Sequence, residues 1–176
     1  MTTTTSPGDR SRQAKETLDK TMSLLPEEIS SELKIVEPKT LTKGGINRMR
    51  GQICAKKTRG FWSATWCFFE VGVGSYKPRP GEGLNLGAVA FCCFPFNKAC
   101  GGGKYSKEIE RILSRAHRER PEEFVLVRPD QAAGRAFYVR ERRYAGKSCP
   151  VDTAAKDVAW LIEQTFPAFE EMLNAG

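Results

Sequence analysis

Three groups of residues in this chain could meet a negatively charged ligand: a glycine run between lysines, an acid-free basic segment, and arginines interleaved with tyrosines. The run Lys98-Ala99-Cys100-Gly101-Gly102-Gly103-Lys104 leads into a helix-like segment. A phosphate-binding loop of the G-x-x-x-x-G-K-[ST] type needs glycine backbone to wrap the phosphates and a hydroxyl to hold magnesium. Here Lys98 occupies the first glycine position and Tyr105 the hydroxyl position, so that motif fails. What survives is a glycine connection into a helix N-terminus, where free backbone N–H groups and the positive end of the dipole favour an anion. Lys98, Gly102, Gly103 and Lys104 are the candidate anion-binding residues. The plainer expectation is a tight turn that only glycine makes cheaply.

The formal net charge is +7. No acidic residue lies between Pro38 and Phe69, where Lys39, Lys43, Arg48, Arg50, Lys56, Lys57 and Arg59 supply seven positive charges. So localised an excess is a footprint for phosphates or for an acidic partner surface, with a solvated basic loop as the plainer alternative. The second basic stretch is RAFYVRERRYAGK. Alternation along a strand puts Phe137 and Val139 on one face and Tyr138, Arg140, Arg142 and Tyr144 on the other. If that face is open, it can contact phosphates and stack on bases.

Catalytic sets are poorer. His117, the only histidine, sits at the edge of an apolar helical stripe, as a half-buried structural residue would. The cysteines at 54, 67, 92, 93, 100 and 149 include no C-x-x-C pair, so the close ligand pairs of structural zinc are missing. Glu70 and Glu141 are each embedded in a strand-like run, as a magnesium-dependent nuclease would require. Two residues after them stand Gly72 and Arg143, where restriction-type nucleases place a lysine. No catalytic residue, metal or cofactor is assigned, and the expectation leans away from an enzyme.

The elements that must position these residues follow from composition and periodicity. A chain of 176 residues, 40% hydrophobic and 28% charged, fits one globular domain. Its apolar runs fall short of the roughly 20 residues that span a bilayer. The first residues carry no apolar leader, so an intracellular, cytoplasmic protein without membrane contact is expected, its cysteines reduced. Residues 1–10 read as a flexible tail and 11–176 as one domain. Within it, 38–60 reads as a basic loop with a short strand near GQICA. Ala14, Leu18, Met22 and Leu25 recur at helical spacing, and a second turn after Pro26 carries Ile29 and Leu33. Residues 61–73 and 84–94 read as strands. The span 105–119 is a helix with Tyr105, Ile109, Ile112, Leu113 and Ala116 on its apolar stripe, Ser106 as cap and Pro121 as stop. EEFVLVRP and RAFYVRERRY are two more strands. A last helix from Ala154 turns Val158, Leu161, Ile162, Phe169, Met172 and Leu173 inward, with a kink or break at Pro167.

The order α-β-β-α-β-β-α predicts an α+β fold, a mostly antiparallel sheet with helices packed on one side. The functional expectation is a nucleic-acid-binding module, for DNA or RNA. It uses Lys43, Arg48, Arg50, Lys56, Lys57 and Arg59 together with the Tyr138, Arg140, Arg142 and Tyr144 face. The alternative is a protein-interaction domain, an inhibitor or adaptor docking on an acidic partner, with Phe61 and Trp62 as an apolar anchor. A metal-dependent nuclease-like domain comes last.

Overall fold

The computed structural model describes residues 6–43, 46–57, 68–76, 85–95, 102–121, 125–127, 137–145 and 149–175. The elements run α1 (Pro7–Leu24), α2 (Glu27–Ser30), β1 (Leu33–Lys43), β2 (Ile46–Ala55), β3 (Phe68–Tyr76), β4 (Asn85–Pro95), α3 (Gly102–Glu119), β5 (Val125–Val127), β6 (Phe137–Ala145) and α4 (Val151–Ala175). The six strands form one antiparallel sheet in the order β1-β2-β3-β4-β6-β5. Helices cover one side of it, as the α+β pattern predicts. Helix α1 packs over β1 to β3, α4 over β3 and β4, and α3 against α4, β4 and β5.

The core lies between that helix layer and the near face of the sheet. Period-2 alternation delivers Met49, Ile53 and Ala55 from β2 and Phe69, Val71 and Val73 from β3. Period-3.6 stripes deliver Ala14 and Leu18 from α1, Ile112, Leu113 and Ala116 from α3, and Val158, Leu161, Ile162, Phe166 and Phe169 from α4. Gly51 lets α1 approach β2: a Cβ there would collide with the buried Leu18 side chain.

Several expectations need correction. Helix α1 begins at Pro7, inside the expected tail, because Ser6 caps it and proline suits the first helical position. Ser6 Oγ accepts from the Asp9 backbone N–H at 3.1 Å. Leu33 belongs to β1 rather than to the turn after Pro26. The segment expected as a basic loop, 38–60, is largely a β-hairpin: Lys43 pairs with Ile46, and the ladder runs back to Leu33 and Ala55. Helix α3 starts at Gly102, three residues early, so Ser106 lies inside the helix and does not cap it. Glycine is tolerated there because first-turn N–H groups have no intrahelical bond to protect. Helix α4 continues through Pro167 without a break, and Pro167 is exposed. The β5–β6 hairpin forms as its sequence predicts. No helix among the described residues is long and apolar enough to cross a membrane.

Candidate functional site

Strand register sorts the basic segment. In β1 and β2 the cross-strand pairs are Lys39 with Arg50, Leu41 with Arg48, and Lys43 with Ile46. Directly paired positions share a face, so Lys39, Lys43, Arg48 and Arg50 all fall on one face of the ribbon, with Leu41 and Ile46 between them. Thr40, Thr42, Asn47 and Met49 fall on the other. Met49 is buried on the helix side, so the four cationic positions lie on the sheet face turned away from the helices. Lys39 is exposed and Arg50 half-buried; the side chains of Lys43 and Arg48 lie outside the described residues.

The end of this ribbon is two-stranded. The β2–β3 ladder stops at Arg48 paired with Gly74, whereas β1 and β2 continue through Thr42 with Asn47 and Lys43 with Ile46. Gly74 stands at the parting point with φ 135°, a conformation that only glycine adopts without strain. Near the other end of β1, the register slips between Val36 and Lys39, around Pro38. A bulge, a proline and lysines on an outer strand discourage edge-to-edge pairing, so part of this pattern also serves solubility.

Lys56 and Lys57 sit elsewhere. They lie just past the opposite end of β2, eight residues from Arg48, or about 26 Å at strand rise. Lys56 Nζ donates to the Ser31 carbonyl at 2.6 Å. Lys57 lines a small pocket with Glu32, Ala55, Phe166 and Glu170, so acids from α4 and the α2–β1 connection surround it. Lys56 thus ties the end of β2 to the α2–β1 connection, and both lysines are exposed, at the opposite end of the hairpin from Arg48. Arg59 lies outside the described residues, as do Phe61 and Trp62.

The arginine–tyrosine face meets a different fate. Tyr144 packs against the core, and its hydroxyl donates to Asp157 Oδ2 of α4 at 2.5 Å. Tyr144 is thus taken up by the fold and does not offer an open stacking ring. Tyr138, Arg140 and Arg142 share its face of β6, as the alternation predicts. Their own side chains lie outside the described residues.

Asp157 was missed altogether. It is 3% exposed and also accepts from Arg120 at 2.7 Å, while the Arg120 guanidinium lies 4.7 Å from the Trp160 ring centroid. One carboxylate thus joins the end of α3, strand β6 and helix α4. Its sequence signal was an acid at a position where the α4 apolar stripe continues, between Ala154 and Val158 on one side and Leu161 on the other.

Gly102 and Gly103 lie in the first turn of α3, as does Lys104, whose side chain, like all of Lys98, is outside the described residues. Glu70 and Glu141 both pair with Phe91, so they occupy one row of the sheet, two strands apart. Among the described residues no three His, Cys, Asp or Glu side chains cluster to hold a metal. Cys54 and Cys149 are buried free thiols, and burial raises the pKa of each. Cys149 also lies 3.5 Å from Thr17 Oγ1, and its backbone N–H donates to Gln13. His117 is half-buried on α3.

Compared with protein-family models, with curated proteins and with solved structures, the chain gives no match.

Proposed function

We propose that this chain is a nucleic-acid-binding module that grips its ligand with the face of the β1–β2 hairpin turned away from the helices. Lys39, Lys43, Arg48 and Arg50 contact phosphate, whereas Lys56, Lys57 and the β6 residues leave the contact set. One observation carries the reading: four cations share one face of the ribbon, and two of them, Lys39 and Arg50, are direct cross-strand partners. Like charges placed opposite each other cost a sheet roughly 0.2–1 kcal/mol. A polyanion laid along that face offsets the cost.

Binding that neutralises phosphates weakens with salt, by a log–log slope of about 0.9 per phosphate on duplex DNA. Fluorescence anisotropy of the purified chain against labelled nucleic acids at several salt concentrations measures that slope. Reversing Arg48 and Arg50 to Glu is expected to lower affinity and to cut the slope by about 2. An unchanged affinity and slope would falsify the ribbon assignment. Absence of binding by the unaltered chain at low salt turns the search to an acidic protein partner instead.

A further inference from the structure

Resting on that reading, we infer that the outer face of helix α3 is a second phosphate-contacting surface, so that one copy of the chain holds two segments of nucleic acid at once.

Helix α3 packs on α4, β4 and β5 and buries Ile112, Leu113 and Ala116. Lys107, Arg111, Arg115 and Arg118 recur along it at steps of four, four and three residues. At about 3.6 residues per turn, these four fall within an arc of about 80° on the far side of the helix from the buried residues. All four are exposed. The stripe runs about 16 Å along the helix axis, a length over which one strand of a duplex presents about five phosphates.

The fold leaves most of this charge uncompensated. Glu108 and Glu119 flank the stripe on one side and Glu110 on the other, and none falls within it. Arg111 donates to Glu108 at 2.9 Å with both side chains more than half exposed, an ion pair that contributes little in water and yields readily to a phosphate. Among the described residues, Lys107, Arg115 and Arg118 form no ion pair.

The stripe fits a polyanion better than a protein or a membrane. No apolar residue falls in the arc, whereas a protein interface centres on an apolar or aromatic anchor. A helix that lies on lipid buries its apolar face there, and that face of α3 is already buried in the fold. Beside the stripe, between α3 and α4, runs a groove of 410 Å³ that includes Ile112 and Met172. Glu108 and Glu171 line it as well, so an acidic partner seeking an apolar foothold there meets like charge.

The two cationic surfaces point in opposite directions. Lys39 and Arg50 lie on the sheet face turned away from the helices, at β1 and β2. Helix α3 belongs to the helix layer and packs at β4 and β5, in the other half of the sheet. No straight segment of nucleic acid reaches both.

Bridging tests this. The probe is whichever labelled DNA or RNA binds most tightly in the anisotropy series, prepared once with a donor dye and once with an acceptor, and both forms are mixed with the full chain at low salt. The unaltered chain is expected to give energy transfer between probes. Lys107→Glu combined with Arg115→Glu should reduce that transfer to the level of the probes without protein, while the variant still binds one probe through the hairpin face. Transfer that survives the double variant overturns the inference, as does binding by the unaltered chain without transfer; in both cases the proposed function stands. A folded variant that binds nothing makes α3 the sole surface, which overturns the hairpin assignment and the second segment together. Binding of no probe by the unaltered chain overturns the inference and the proposed function alike.

Discussion

Charge is used in two opposite ways in this molecule. Around Asp157 it is drawn into the fold: the carboxylate is 3% exposed, accepts from Arg120 and Tyr144, and has Trp160 stacked beneath the arginine. On the β1–β2 ribbon it is arrayed on the side away from the core, with Lys39 opposite Arg50. The first arrangement satisfies each charged group with a specific partner and fastens three elements. The second concentrates one sign of charge on one face of the hairpin. Under the proposed function, that face is the one a polyanion meets.

The two regions separate under mutation. Asp157→Ala strips a buried carboxylate from Arg120 and Tyr144, and loss of one partner from a buried pair costs about 3–5 kcal/mol. Urea denaturation should show that loss, while the salt slope of nucleic-acid binding stays unchanged under conditions where the variant is folded. A loss within about 0.5 kcal/mol, the size of an ordinary surface change, would mean that the clamp is not structural. Lys39→Glu should move the two readouts in opposite directions. Affinity falls and the salt slope decreases by about 1, because a phosphate contact is lost. Stability rises by roughly 0.2–1 kcal/mol, because a like-charge pair opposite Arg50 becomes an unlike one. If thermal denaturation and anisotropy fall together, the contrast between the regions is mistaken.

The smallest effect concerns an exposed pair that belongs to neither region. Asp152, in the first turn of α4, has its pKa lowered, first by a hydrogen bond from Lys20 and then by that lysine's charge. A lowered folded-state pKa adds stability above the ordinary carboxylate range, and that stability is lost as pH falls through the folded value. Asp152→Asn should therefore be slightly less stable than the unaltered chain at neutral pH, and the two should converge only as pH falls below the ordinary carboxylate range, through the lowered folded-state value. A difference that persists in acid would assign the effect to something other than ionisation.

Much of the scaffold was legible because its elements bury a regular stripe. Val158, Leu161, Ile162 and Phe169 announced α4, and Ile112, Leu113 and Ala116 announced α3, since helical spacing of apolar residues is what a core requires. The hairpin was not. Its two-stranded end extends past the helix-covered part of the sheet, so residues 39–48 carry no alternation of apolar and polar positions. Its one local signal was the pair Gly44-Gly45 between two runs of similar length, the kind of dipeptide that closes a two-residue hairpin. The Ser6-Pro7 start of α1 was likewise available, as a capping residue followed by a favoured first-turn proline.

Sequence alone determined the α+β class, the one-sided helix layer and the concentration of positive charge between Pro38 and Phe69, because periodicity and composition are properties of the chain itself. It also determined that Tyr138, Arg140, Arg142 and Tyr144 share one face of a strand. Which face is covered was decided only when α4 docked and Asp157 captured Tyr144. The division of the six described basic residues was decided the same way. Pairing of β1 with β2 aligned Lys39, Lys43, Arg48 and Arg50, and Lys56 and Lys57 fell past the opposite end of β2, where Lys56 bonds the Ser31 carbonyl. Alternation along a strand says which residues travel together; only packing against distant elements says whether they meet the core or the solvent.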